Sequence, residues 1–114
     1  STLFEDVKRL HDGGLTLAIG TDTMGGSLPF GGNALELELY VEKVGLSPLE
    51  AIKIGTLNGA KVMGLDNSLG TLEPGKLADI IAVTDNPLEN IRSLQETKNI
   101  KLVVKGGEVY KHDL

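Results

Sequence analysis

The sequence contains no cysteine and no tryptophan, and its only aromatic residues are two tyrosines and two phenylalanines. Without cysteine the chain has no disulfide, no thiolate nucleophile and no zinc-finger ligands. A formal net charge of -5, together with few rings to stack on bases, argues against a nucleic-acid partner. No run approaches the ~20 apolar residues that cross a bilayer. The composition therefore predicts a cytoplasmic protein without a membrane partner.

The first 65 of the 114 residues carry helical patterns. Ser1 is predicted to cap a helix that ends at Gly13-Gly14, because the apolar residues between them recur at helical spacing. A second helix is predicted over residues 33–44, capped by Asn33. The third follows a strong start signature, in which Ser47 is the cap and Pro48 the first helical residue. It is expected to be interrupted near Asn58-Gly59 and to resume to about Met63.

One buried strand is predicted among these helices. "LTLAI" (residues 15–19) is a five-residue apolar run bounded by glycines, which is typical of a strand with both faces covered. Such a strand needs neighbouring strands on both sides, and this part of the chain supplies none. The prediction therefore requires further strands from elsewhere.

After Gly64 the chain becomes rich in β patterns, and we place the predicted boundary between two units, 1–65 and 66–114, near this change. Ile80 to Val83 is predicted as a strand after the turn "EPGK". "KLVVKGGEVY" predicts a hairpin with Gly106-Gly107 at its turn. "TDNPLENIRSL" between them indicates one or two capped helical turns. Three short strands form a marginal sheet unless they join other strands.

Asp22 is the main candidate for chemistry. It follows the end of the predicted buried strand, where α/β proteins place catalytic groups. Aspartates in such loops also commonly cap backbone amides, and the local pattern alone favours that structural interpretation. One carboxylate is not a metal site, and the two histidines, His11 and His112, stand near opposite ends of the sequence.

Several motifs in order bear on this choice: "LHDGGLTLAIGTDT", "GLSPLEAIKIGTLNGAKVMGL", "LGTLEPGKLADIIAV", "NPLENI" and "VVKGGEVY". In order and spacing they resemble the C-terminal part of the amidohydrolase superfamily, in its imidazolonepropionase-like and Xaa-Pro dipeptidase-like branch of metal-dependent hydrolases. The resemblance implies an α/β fold, namely the last part of a (β/α)₈ barrel over residues 1–65 and strands of a small β-sandwich over residues 66–114.

The resemblance also implies a role for Asp22 as a ligand of a divalent metal, with zinc the expected ion, and as the proton shuttle for metal-activated water that cleaves a C–N bond. Thr23, Met24 and Phe30 are the expected substrate contacts. The family's other metal ligands have no counterpart here and are expected upstream of Ser1, since a complete barrel has ~250 residues. The chain is therefore expected to be inactive alone, and its substrate class extends from cyclic amides and amidines to peptides.

Other polar residues are interpreted as structural. Thr21 is expected to satisfy the strand end, Asn58 to cap backbone and Asp79 to hold the turn into its strand. Of the histidines, His11 suits the negative end of its helix and His112 is expected to be solvated. The second helix carries a charged face, with Glu36 the member nearest the Asp22 loop; its residues are Glu36, Glu38 and Glu42.

Two functions remain open at this point. In the first, the chain is a C-terminal hydrolase fragment whose partner is the missing N-terminal portion. In the second, it is a non-catalytic remnant that self-associates through exposed strand edges. A small doubly wound protein of the flavodoxin type is a distant third, because only one strand of parallel type is present.

Overall fold

The computed structural model describes residues 1–21 and 31–114. Within these ranges, helices come first and one antiparallel sheet follows, so the α/β class is confirmed at that level. The helices are α1 (Leu3–Asp12), α2 (Leu35–Glu42), α3 (Pro48–Lys53), a π-helix (Ile54–Asn58) and α4 (Gly59–Val62). The remaining elements are β1 (Ile80–Val83), two 3₁₀ helices (Ile91–Gln95 and Thr97–Asn99), β2 (Ile100–Lys105) and β3 (Glu108–His112). No helix in the described ranges is long and apolar enough to cross a membrane.

Helices α1 and α3 each begin with a capping box, in which the cap residue and the third helical residue exchange hydrogen bonds. In α3 the Ser47 hydroxyl accepts from the Glu50 amide at 3.2 Å and the Glu50 carboxylate accepts from the Ser47 amide at 2.9 Å, as predicted. In α1 the cap is Thr2 and not Ser1. The prediction was one residue off because Thr2, with Glu5 three residues later, forms a capping box.

Two further predictions are corrected. Helix α2 begins at Leu35 and ends at Glu42, so it is shorter than residues 33–44, and Asn33 does not cap it. Residues 15–19 form no strand, and Leu15 is 57% exposed. The apolar run has no neighbouring strand within the described residues, so the backbone pairs that would define a sheet cannot form.

The third predicted helix is interrupted, and the interruption begins earlier than predicted. The π-helix already begins at Ile54, four residues before Asn58, and α4 resumes at Gly59. Ala51, Ile54 and Ala60 from this region are buried. The interruption thus lies within the packed surface of the helix, where π-helical turns often mark functional positions.

The sheet has the order β1-β2-β3, with both pairs antiparallel. Strand β1 and the β2–β3 hairpin are confirmed. Asp79 was predicted to hold the turn into β1, but its Oδ1 accepts from the Gly106 amide at 2.8 Å and so holds the turn between β2 and β3. A 3₁₀ helix (Ile91–Gln95) accounts for the helical turns predicted between β1 and β2.

The core is small and lies among the helices. Val44, Leu46 and Ile54 form its buried cluster, against which the partly buried Phe4, Val7, Leu17, Ile19 and Tyr40 pack. Total accessible surface is 7622 Å², whereas a folded monomer of this size exposes about 6000 Å². The chain therefore exposes more surface than a compact monomer of its size, and large apolar side chains such as Leu3 and Leu72 are part of it.

Candidate functional site

The candidate site is built around residues 15–21, named here the site segment, which lead directly into Asp22. Leu17, Ala18 and Ile19 of this segment are half-buried against the helices. Since the segment has no strand partner among the described residues, its main chain needs other hydrogen-bonding groups. Side chains from later parts of the sequence provide them.

Helix α2 contributes two of these side chains. The Glu36 carboxylate accepts from the Gly20 amide at 3.3 Å, and the Tyr40 hydroxyl donates to the Ala18 carbonyl at 3.5 Å. Glu36 and Tyr40 are four residues apart and therefore share one face of the helix. This face of α2 is consequently directed at the site segment.

Tyr40 is also an electrostatically distinct group. Burial, and secondarily the neighbouring Glu36 carboxylate, raise the pKa of the Tyr40 phenol above its usual value. The ordinary pKa of 10.0 already leaves a phenol protonated at neutral pH, and the raised pKa extends to higher pH the range in which the Tyr40 hydroxyl can donate to the Ala18 carbonyl.

The π-helix supplies a further anchor of the site segment. Asn58 Nδ2 donates to the Leu17 carbonyl at 3.0 Å, a partly buried bond that joins residues 41 positions apart. The prediction that Asn58 caps backbone is correct in chemistry, because its amide does satisfy a main-chain group. That group belongs to the site segment and not to the neighbouring helix ends.

A glycine in the same π-helix permits close packing. A Cβ placed on Gly55 would lie 3.0 Å from Ile19 Cδ1 and 3.2 Å from Leu37 Cδ2. Both distances are tighter than ordinary van der Waals contact, so a larger residue would press on Ile19. The π-helix therefore contacts the site segment both through a hydrogen bond and through close apolar packing.

The end of the site segment is held by a side-chain pair. Asn33 Nδ2 donates to Thr21 Oγ1 at 2.9 Å. Thr21 thus has a structural partner, although it was predicted to satisfy the end of a strand, and residues 15–19 form no strand. Thr21 is the last described residue before Asp22.

Four of the predicted site residues, Asp22, Thr23, Met24 and Phe30, lie outside the described residues. Their roles as metal ligand, proton shuttle and substrate contacts stay predictions. Sequence reasoning did not identify Tyr40 as a partner of the segment. The available signal was that Tyr40 lies one helical turn after Glu36, and Glu36 is predicted to be near the Asp22 loop.

The remaining predicted candidates stand away from any ligand cluster. His11 Nε2 lies 3.9 Å from a Glu50 carboxylate oxygen, and His112 is the exposed last residue of β3. In the part of the chain that the structure describes, no three histidine or carboxylate side chains are grouped so that they could hold a metal ion.

Glu38 and Glu42 of the charged face of α2 are engaged elsewhere. Arg92 contacts both carboxylates, at 3.2 Å from Glu38 and 2.6 Å from Glu42, and Gln95 donates to Glu38. The Arg92 hydrogen bond lowers the pKa of the exposed Glu42 carboxyl. These two glutamates thus join α2 to the first 3₁₀ helix, which leaves Glu36 as the member that contacts the site segment.

An apolar groove of about 580 Å³ lies between α3 with its π-helix and strand β1. Ile52, Leu69, Leu72, Ile80 and Ile81 give it an apolar lining. Leu72 and Ile81 are 74% and 53% exposed, so the groove is open to solvent. The helical part and the sheet are thus incompletely packed against each other along this groove.

The chain is similar to known hydrolases along most of its length. A model of the amidohydrolase family matches residues 2–110. Ochratoxinase of Aspergillus niger is 46% identical over 99 residues, which are 86% of this chain and 20% of that protein. Imidazolonepropionase of Geobacillus kaustophilus (strain HTA426) is 33% identical over 108 residues, which are 95% of this chain and 26% of that protein.

A solved hydrolase structure also superposes on this chain. A Xaa-Pro dipeptidase crystallised with methionine in its active site superposes with a TM-score of 0.81 at 34% identity, covering 95% of this chain and 25% of that protein. The chain thus spans between 20% and 26% of the length of these three proteins.

Proposed function

The chain belongs to the amidohydrolase family, and from this membership we propose that it is the C-terminal part of a metal-dependent hydrolase that cleaves C–N bonds. One observation carries the proposal: the family match runs over residues 2–110 and includes the position of Asp22, to which the anchored site segment leads. In the proposal residues 1–65 complete the barrel, and residues 66–114 contribute strands to a small β-sandwich.

Asp22 is the proposed metal ligand and proton shuttle. The described residues hold no ligand set that fits a divalent ion by itself, so in this proposal the other ligands come from the rest of the polypeptide. A bound divalent metal, for which we propose zinc, would lower the pKa of a water molecule towards neutrality. The Asp22 carboxylate then takes a proton from the attacking water and gives it to the leaving nitrogen.

The proposed substrate is a small molecule or peptide with a hydrolysable C–N bond. Thr23, Met24 and Phe30 are proposed to contact it, because they follow Asp22 in the same loop. Similarity to an ochratoxinase, an imidazolonepropionase and a Xaa-Pro dipeptidase makes ochratoxin, imidazolonepropionate and Xaa-Pro dipeptides the first compounds to assay.

The proposed partner is the remainder of the same hydrolase. Two features support this: the apolar groove beside β1 is open, and accessible surface exceeds that of a compact monomer by over a thousand Å². Strands β1 and β3 each have one edge without a partner among the described residues. Strands from the rest of the polypeptide would cover these faces and edges.

Asp22→Asn in the complete enzyme tests the catalytic role. We expect kcat to fall by about 10²-fold or more, because the amide cannot accept the proton, while KM and the thermal midpoint change little. Asp85→Asn is the matched control, since Asp85 is an exposed aspartate in the loop after β1. Turnover of Asp22→Asn at the level of the control would remove Asp22 from the mechanism.

The second candidate is a non-catalytic module that associates with copies of itself. It is favoured by the same open edges of β1 and β3, which can pair with a strand of another chain. The two candidates differ in what the isolated chain does, and the Discussion gives that measurement at the scale of the whole molecule.

A further inference from the structure

We propose that Asn58 is a positioning residue for the hydrolytic reaction, acting on Asp22 through the main chain of the site segment. This inference rests on the proposed function, because it takes Asp22 as the proton acceptor. Asn58 itself contacts neither substrate nor metal in the proposal. Its role is to fix the position of residues 17–21 relative to the π-helix.

The first support is the kind of bond that Asn58 makes. Its amide donates to the Leu17 carbonyl at 3.0 Å in a partly buried position, five residues before Asp22. A carbonyl at that position would otherwise be partly removed from water without a donor, which is unfavourable. Asn58 therefore selects one placement of the segment over placements in which the carbonyl turns towards solvent.

The second support is independent and comes from packing. Gly55, in the same π-helix, gives room for Ile19, whose Cδ1 would lie 3.0 Å from a Cβ at that position. This contact fixes the distance between the π-helix and the site segment. The Asn58 hydrogen bond fixes where Leu17 lies along the π-helix. Together they restrain two points of the chain that leads into Asp22.

The third support is the π-helix itself. The five residues Ile54–Asn58 depart from α-helical geometry between two α-helical stretches. Such π-helical turns are rare, occur mostly inside α-helices and are frequent at functional sites. Here the helix turns back to α geometry directly after Asn58, at Gly59.

The experiment uses the complete enzyme with Asn58→Ala and Asn58→Asp. The aspartate keeps the shape of Asn58 but places an acceptor against the Leu17 carbonyl, so either variant loses the bond.

Asn99→Ala is the matched control. Asn99 Nδ2 also donates to a carbonyl, that of Ser93 at 3.1 Å, in a partly buried position of the β-rich part. Two readouts are taken: amide hydrogen exchange of residues 15–21, and kcat and KM on whichever of ochratoxin, imidazolonepropionate and a Xaa-Pro dipeptide the enzyme hydrolyses.

We expect both Asn58 variants to exchange faster in residues 15–21 and to lose about 10- to 100-fold in kcat, since small displacements of a reacting group reduce rates by such factors. KM should stay within about threefold. Asn99→Ala should lower the thermal midpoint comparably and leave both readouts unchanged.

Unchanged exchange in the segment, or unchanged kcat in a folded Asn58 variant, would overturn the positioning role. Equal losses of kcat in the Asn58 and Asn99 variants would also overturn it, because they would indicate general destabilisation. Asp22→Asn is measured in parallel. If that variant is fully active while Asn58→Ala is slow, the assignment of Asp22 is what fails, and the two failures are thereby distinguished.

Discussion

At the scale of the residue, Tyr40 shows how one side chain serves both core and site. Its ring packs against the core cluster of Val44, Leu46 and Ile54, and its hydroxyl reaches the Ala18 carbonyl. Its phenol is therefore a group whose ionisation would disturb packing and the site segment together. The raised pKa of Tyr40 delays that ionisation in the folded protein.

The raised pKa of Tyr40 predicts that the folded protein loses stability at alkaline pH. The pKa of Tyr40 is higher in the folded state than its ordinary value of 10.0. The unfolded chain therefore releases this proton first, so the stabilisation is complete below about pH 10 and is lost as pH rises through the folded pKa. We expect the urea midpoint of the intact protein to fall above pH 10, and to fall less steeply in Tyr40→Phe.

Tyr110→Phe is the control for that series, because Tyr110 is 64% exposed on β3. Its pH dependence should follow the parent protein. If Tyr40→Phe also follows the parent across pH 9 to 11, the phenol of Tyr40 does not contribute to the alkaline transition.

At the scale of the element, local sequence signals predicted those parts whose partners are near in sequence. The α3 capping box joins residues three apart, and the β2–β3 hairpin needs only Gly106-Gly107 between its strands. Helix α2 and the site segment were predicted less well. Asn33 bonds to Thr21 instead of capping α2, and Asn58 bonds to Leu17 across 41 positions. Such long-range choices have no local sequence signal.

Ser47→Ala tests how much the α3 cap stabilises the helix that leads into the π-helix. We expect the free energy of unfolding of the intact protein to fall by about 1 kcal/mol, the usual cost of losing a serine cap. The measurement is urea unfolding at pH 7. Ser68→Ala is the control, because Ser68 is exposed and lies outside the helices; a Ser47→Ala value equal to the control value would contradict the role of the cap.

The same cap gives an acid-side prediction. Hydrogen bonding, first from the Ser47 backbone amide and then from its hydroxyl, lowers the pKa of the Glu50 carboxyl. A lowered pKa means that the stabilisation is present above the ordinary value of 4.5 and is lost as pH falls through the folded pKa. Ser47→Ala removes only the hydroxyl's share of this effect, so the difference between Ser47→Ala and the parent should shrink in part below about pH 4.5.

At the scale of the whole molecule, the chain is less compact than an ordinary domain and exposes many large apolar side chains. Its radius of gyration is 14.7 Å, against about 13 Å for a compact domain of this length. Large apolar side chains on both parts are exposed, among them Leu3, Leu72, Leu77, Val109 and Leu114. The family proposal explains this surface as contact area for the rest of the hydrolase.

The isolated 114-residue chain separates the two candidate functions. If it is part of a larger hydrolase, we expect it to bind a hydrophobic dye, to aggregate on light scattering and to become soluble only when the upstream portion is co-expressed. If it is a self-associating module, it should give one oligomer of defined mass and a cooperative thermal transition. A well-folded oligomer would therefore contradict the fragment proposal.

The anchors of the site segment have a consequence for synthesis of the protein. The side chains that hold residues 17–21 are Asn33, Glu36, Tyr40 and Asn58, and each is encoded after the segment it holds. A ribosome therefore releases the segment before any of its anchors, and the last one follows 41 residues behind Leu17. A nascent chain that stalls before Asn58 carries Leu17 without this hydrogen bond, so translation must pass the π-helix before residues 15–21 can take their final form.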